Sequence, residues 1–292
     1  MLSLKQGLVF LIGVKKMVNG GVLVSQDLSC AGQVSLSAAL PVLGACGLSP
    51  TVLPTAILST HTGGFGENTF LSLNNEMAKI MAHWQKVGFD FSAVYLGYLG
   101  KRALDFWTEK ISYFKQKNKL ILIDPVMGDH GQLYRGIDEN YVIKMRNLVK
   151  SATILTPNIT EAAFLLGKKA TSNSLKTATE FAAELSSQFG VSNVIITGIS
   201  LNKEKIAEVG ITADHSWSLI QKKLPGNYFG TGDLFASAFF AALMHKENLE
   251  KACSIAADFV AQAIRETPKQ DSRLGPNYAA ALPDLLKRWS NN

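Results

Sequence analysis

The chain reads as a doubly wound α/β protein, and three observations carry that reading. Short β-branched runs alternate with helical patterns along its length. The runs are apolar almost throughout, which marks strands of a parallel sheet covered by helices on both faces. Each run ends in a polar or glycine-rich segment, and folds of this kind bind ligands beyond the carboxyl ends of their strands.

The elements follow in order. Residues 21–24 predict a first strand that runs into Ser25-Gln26-Asp27. Residues 52–66 are rich in Thr, Ser and Gly around a short apolar patch, and predict a strand pair or flap over a ligand. Further strands are expected at 93–96, 120–123, 152–155 and 194–196, leading into Gly97-Tyr98, Asp124-Pro125, Thr156-Pro157-Asn158 and Thr197-Gly198. Helical patterns fit 67–86, 102–117, 139–150, 160–167 and 174–189. The run from Leu234 to Met244 is apolar nearly all round and predicts a buried helix. No repeat or Pro/Ser-rich linker divides the chain, so one domain is expected over 17–292. Residues 1–16 are expected to be an extension, with Met17 as an alternative start.

Composition narrows the class. The net charge of +6 suits an anionic ligand such as a nucleotide. No dense basic run is interleaved with aromatics, so nucleic-acid binding is not expected. The three cysteines include no C-x-x-C pair, which argues against a disulfide framework or thiolate zinc site and for a reducing cytoplasm. The apolar run at 7–14 is far short of the ~20 residues of a membrane span, so no membrane association is expected.

Three motifs carry chemistry. Gly230-Thr231-Gly232-Asp233 immediately precedes the apolar helix. A helix start presents unpaired backbone N–H groups and the positive end of the helix dipole. Glycines there let an anion approach, and an aspartate there is placed to accept the proton of an attacking hydroxyl. A tight turn with a capping aspartate explains the same residues. In Asp124-Pro125-Val126-Met127-Gly128-Asp129 two carboxylates flank a turn, as hard ligands for Mg²⁺ or as a turn closed by Asp124. In Thr156-Pro157-Asn158-Ile159-Thr160-Glu161, Asn158 and Glu161 have capping-box spacing, which is compatible with a phosphate or metal role. No Walker A pattern and no G-x-G-x-x-G after the first strand occur. Among the histidines, His61 lies in a motif-like stretch, Ser59-Thr60-His61-Thr62-Gly63-Gly64. Phe229, Phe235, Phe239 and Phe240 read as core.

These motifs, in this order, resemble the ribokinase superfamily. With S-T-H-T-G at 59–63 and Gly97-Tyr98, the chain is similar to the pyridoxal kinase family over roughly residues 20–265. The resemblance implies a ribokinase-like fold and ATP-dependent phosphorylation of the 5′-hydroxymethyl of a vitamin B6 vitamer. It also implies Mg²⁺, K⁺ as a monovalent cation, and a homodimer. Carried over motif by motif, Asp233 would be the base and Gly230, Thr231 and Gly232 the anion hole. Asp124, Asn158, Thr197 and Gly198 would meet the nucleotide, and Asp129 and Tyr134 would lie in the loop covering ATP. Asp124 and Glu161 would attend the metal. The stretch 219–229 would wrap the adenine and ribose. On the acceptor side, Ser25 would meet the pyridine's polar edge, His61 and Thr62 would line the pocket, and Tyr98 would stack on the ring. The first strand's exit, S-Q-D-L-S-C, departs from the family's usual S-H-V pattern. Hydroxymethylpyrimidine kinase, with the same fold, and a non-catalytic vitamin B6 carrier are the alternatives. An aspartate at 233 favours the pyridoxal kinase over both.

Overall fold

The computed structural model describes residues 18–169 and 172–289. The extension expected at 1–16 and the alternative start at Met17 lie outside them. The chain builds one large sheet from β1 (Val22–Ser25), β2 (Pro50–Val52), β3 (Ala93–Leu96), β4 (Leu120–Ile123), β5 (Ile154–Leu155), β6 (Asn193–Ser200), β7 (Lys205–Ile211) and β8 (Ser216–Lys222). Their order across the sheet is β8-β7-β6-β5-β4-β3-β1-β2. Neighbours from β2 through to β6 pair in parallel, and β6, β7 and β8 form an antiparallel edge.

Apolar runs become parallel strands here because both faces are covered. Leu23, Val94, Leu96, Ile121 and Ile123 point into one core, under α2 (Asn74–Val87), α3 (Gly100–Gln116), α4 (Glu139–Leu148), α5 (Ile159–Leu166) and α6 (Leu175–Phe189). Val22, Val24, Ala93, Tyr95 and Leu122 point into the other, under α1 (Leu36–Ala45), α7 (Thr231–Met244), α8 (Leu249–Arg265) and α9 (Tyr278–Leu286). Every residue of β1 and β3 is buried, as a strand sandwiched between helix layers requires. α7 is buried continuously from Leu234 to Ala242 and packs against α1 and α8. Phe235, Phe239 and Phe240 are core, as expected.

Two expectations need correction. The helical pattern at 67–86 starts later, at Asn74, because Phe70–Ser72 is taken up as a strand. It pairs antiparallel with Ala56–Leu58, which also pairs parallel with Leu28–Ser29. This three-stranded sheet is the flap foreseen at 52–66. The strand expected at 194–196 extends to Ser200 through a bulge between Ile196 and Ile199, which holds Thr197 and Gly198. Among the described residues no helix is long and apolar enough to cross a membrane.

Candidate active site

The topology brings the carboxyl ends of β1, β3, β4, β5 and β6 to one edge of the sheet, where the N-terminus of α7 also arrives. Gly230 caps that helix at φ +80°, a left-handed conformation suited to glycine. A side chain here would also collide, since a Cβ would lie 2.4 Å from the Gln33 carbonyl oxygen. The first helical bond runs from Leu234 N–H to Gly230 O, at 3.0 Å. The N–H groups of Thr231, Gly232 and Asp233 precede it and have no helical acceptor. Gly232 is exposed, and a Cβ on it would meet nothing within 4 Å.

Asp233 lies in the first turn. Its Oδ2 accepts the Ser35 N–H at 2.9 Å. Burial pushes its carboxyl up to about 7, against the Ser35 bond and with help from the charge of Asp27. Ser35 itself holds φ +47°. For a residue with a side chain that conformation costs about 1–3 kcal/mol, and it is kept where its N–H meets Asp233.

A cleft of about 530 Å³, counted out to its mouth, opens beside Asp233. Val34, Leu58, Tyr98, Val126, Tyr134 and Phe229 give it apolar and aromatic walls, and Asp27, Ser35, His61 and Thr62 give it polar points. This is the usual make-up of a small-molecule site. His61, Thr62, Tyr98 and Asp233 therefore come together as the sequence suggested. Burial raises the Tyr98 hydroxyl to about 12, so it stays protonated.

The flap closes one side. His61 Nε2 meets the Arg273 carbonyl oxygen at 2.7 Å, and its Nδ1 accepts the Gly63 N–H at 3.2 Å. Backbone thus engages both ring nitrogens. The ring lies 4.7 Å from that of Phe229. The Arg273 guanidinium donates to Gly64 O at 3.0 Å and sits 4.6 Å from the Phe65 ring centre.

The side expected to meet the nucleotide is more tightly tied. Asn158 Oδ1 accepts the Glu161 N–H at 2.9 Å, and Glu161 Oε2 accepts the Asn158 N–H at 2.9 Å, so the capping box is present. Glu161 Oε1 also takes the Met127 N–H at 3.1 Å, and Asn158 Nδ2 donates to Gly128 O at 2.9 Å. The Asp124 turn is thereby clamped to the start of α5. Burial raises Glu161 to about 8 despite its N–H donors. Asp124 is buried, and burial followed by the charges of Glu161 and Asp233 holds its carboxyl well above the ordinary range. Its side chain has no hydrogen-bond donor among the described residues. Gly198, at φ +66°, is exposed beside Thr197, whose N–H donates to Pro157 O at 3.0 Å.

Several expected residues sit elsewhere. Ser25 is fully buried, donating to Leu53 O at 2.7 Å and accepting from Trp107 Nε1 at 2.8 Å. Both its bonding capacities are used in the core, so it does not face the cleft. Asp27, two residues beyond the end of β1, lines the cleft instead, and no motif in the sequence singles it out. Tyr134, expected over ATP, lines the cleft. Asp129 stands half-exposed in a hairpin whose turn places His130 and Gly131 at φ +51° and +77°. Phe229, read as core, is a cleft wall. Ser35 and Phe229 carried no sequence signal, since nothing local distinguishes them.

Comparison with known proteins places this geometry. The family described as phosphomethylpyrimidine kinase matches residues 31–277. A Bacteroides thetaiotaomicron protein crystallised with pyridoxal is 36% identical over 90% of this chain and 94% of its own, with a TM-score of 0.85. The pyridoxal kinase of Lactobacillus plantarum is 31% identical over 93% and 98%, with a TM-score of 0.82. A pyridoxine/pyridoxal/pyridoxamine kinase of Bordetella avium is 29% identical over 82% and 83%. The fold, the ordered motifs and these matches together make the chain a member of the phosphomethylpyrimidine kinase family, within the ribokinase-like group that includes the pyridoxal kinases.

Proposed function

We propose that this chain is a pyridoxal kinase, transferring the γ-phosphoryl group of ATP to the 5′-hydroxyl of a vitamin B6 vitamer. The observation that carries the reading is Asp233, set beside the open N–H groups of α7 and facing an aromatic-walled cleft. Phosphoryl transfer asks a protein chiefly for positioning and charge stabilisation. The acceptor hydroxyl gives its proton to Asp233 as its oxygen forms the new P–O bond and the bond to the ADP oxygen breaks. The N–H groups of Thr231, Gly232 and Asp233 take up negative charge on the transferring group. The flap, held down through His61 and Arg273, keeps out water, a competing acceptor.

Asp124 and Glu161 fit Mg²⁺. They are hard oxygen donors, and two neighbouring buried carboxylates need a cation to ionise together. Mg²⁺ bound there supplies charge neutralisation for the nucleotide phosphates. Asn158 acts by holding Glu161 and the Asp124 turn in register, because both ends of its amide are engaged. Thr197 and Gly198 stand where the sheet edge is open to the phosphates, and 219–229 flanks the nucleotide. The reading includes K⁺ and a homodimer, as the resemblance implies, and a cytoplasmic location, as the cysteine usage suggests.

The test is ADP release with Mg-ATP, with and without K⁺, offering pyridoxal, pyridoxamine, pyridoxine and hydroxymethylpyrimidine separately. Turnover of a B6 vitamer above the pyrimidine is expected. Preference for the pyrimidine would move the substrate and keep the chemistry, and no turnover with any of the four would end the proposal.

A further inference from the structure

Asp27 is a second carboxylate in the cleft, and the reaction as described leaves it without a task. It is 2% exposed and lines the cavity wall. Its Oδ2 accepts the Ser29 hydroxyl at 2.8 Å. A carboxylate takes about four hydrogen bonds, so acceptor capacity is left toward the cavity. Among the described residues no Lys or Arg lines the cleft. Its histidine, His61, has both ring nitrogens engaged by backbone, Nδ1 by the Gly63 N–H and Nε2 by the Arg273 carbonyl oxygen. A buried carboxylate without a cation is costly, and in a ligand site the missing partner is a group on the ligand.

The position of Asp27 says which group. Two adjacent backbone N–H groups bring the two aspartates together, Ser35 N–H donating to the Asp233 carboxylate at 2.9 Å and Leu36 N–H to the Asp27 carbonyl oxygen at 3.2 Å, and both aspartates line the one cleft. They therefore sit side by side and address one edge of a bound ring. In a pyridine bearing the reactive hydroxymethyl, the ring nitrogen is separated from the substituted carbon by a single C–H and lies on that same edge. Resting on the kinase reading above, we propose that Asp27 is the specificity-determining residue for the acceptor ring, accepting a charge-assisted hydrogen bond from its protonated nitrogen while Asp233 takes the hydroxyl proton. The departure S-Q-D at the exit of β1, and the engagement of Ser25 in the core, leave this task to Asp27.

The experiment compares pyridoxine with its benzene analogue, in which C–H replaces the ring nitrogen, as acceptors for the wild type and for Asp27→Asn. A charge-assisted hydrogen bond corresponds to a preference of about 10- to 100-fold. The wild type should prefer pyridoxine by that factor in kcat/KM. Asp27→Asn should lose the factor for pyridoxine, change little for the analogue, and so bring the ratio close to one. A loss of packing or fold would lower both acceptors together. A ratio unchanged by the substitution overturns the inference. If Asp27→Asn does not fold, as judged by thermal unfolding, the wild-type ratio decides, and equal use of the two acceptors overturns it. In each of those failures wild-type turnover of pyridoxine leaves the kinase reading standing, whereas absence of that turnover removes both.

Discussion

The two halves of the active site hold their carboxylates in opposite ways. On the nucleotide side, Glu161 accepts two backbone N–H groups and Asn158 spends both ends of its amide, so the Asp124 turn and the start of α5 are locked before any ligand arrives. On the acceptor side, Asp233 has one backbone donor and Asp27 one hydroxyl, and the walls come from the segment after β1, the flap, the turns after β3 and β4 and the segment before α7. The first half is a local motif with its geometry built in. The second is assembled from segments far apart in sequence, with 212 residues between His61 and the Arg273 that holds it. Rigidity suits phosphates that are the same for every nucleotide. An open, assembled pocket suits a ring that must be chosen and then enclosed.

Glu161→Ala probes the locked half and should have the larger effect. It strands the N–H groups of Met127 and Asn158, and each buried donor left without an acceptor costs about 1–3 kcal/mol. Thermal unfolding should show the loss of stability, and the KM for Mg-ATP should rise together with it. Unchanged stability with normal Mg-ATP use would mean that the capping box is not what orders the Asp124 turn. Arg273→Ala probes the assembled half and should have the smaller effect. It removes the bond to Gly64 O and the contact with Phe65 while leaving Asp233 untouched. Exposed contacts of this kind are worth about 1 kcal/mol or less. The expected result is a KM for the B6 vitamer raised several-fold and more ATP hydrolysed without acceptor, with kcat for transfer little changed. A fall in kcat alone would place Arg273 outside flap closure.

The same contrast explains what could be read from the sequence. The parallel strands were legible because burial on both faces writes unbroken apolar runs such as V-L-V and A-V-Y-L, and the buried helix after Asp233 was legible because it is apolar all round. The capping box was legible because its partners stand three residues apart. Phe70–Ser72 was read as helix because a three-residue strand is defined by its neighbours, Ala56–Leu58, and not by its own pattern. Ser35 and Phe229 escaped because their roles exist only once segments distant in sequence meet. Ser25 was placed in the site by resemblance, and Trp107, 82 residues away, claims it for the core.

The central claim is that Asp233 is the base of a phosphoryl transfer, and Asp233→Asn tests it most directly. Asparagine keeps an oxygen for the Ser35 N–H and removes the basic carboxylate. General-base catalysis contributes about 10²–10⁴-fold, so ADP release with the preferred vitamer should fall by that factor while vitamer and nucleotide still bind. In the wild type, kcat/KM should rise as pH increases through about 7, where Asp233 gives up its proton, and the variant should lack that limb. Stability supplies an independent reading. The unfolded chain loses this proton near 3.8 and the folded one near 7, so the contribution of Asp233 to stability is full below 3.8 and is lost as pH rises toward 7. The melting temperature of Asp233→Asn should therefore gain on that of the wild type between pH 4 and pH 8. A variant that turns over at the wild-type rate with the same pH profile would contradict the account.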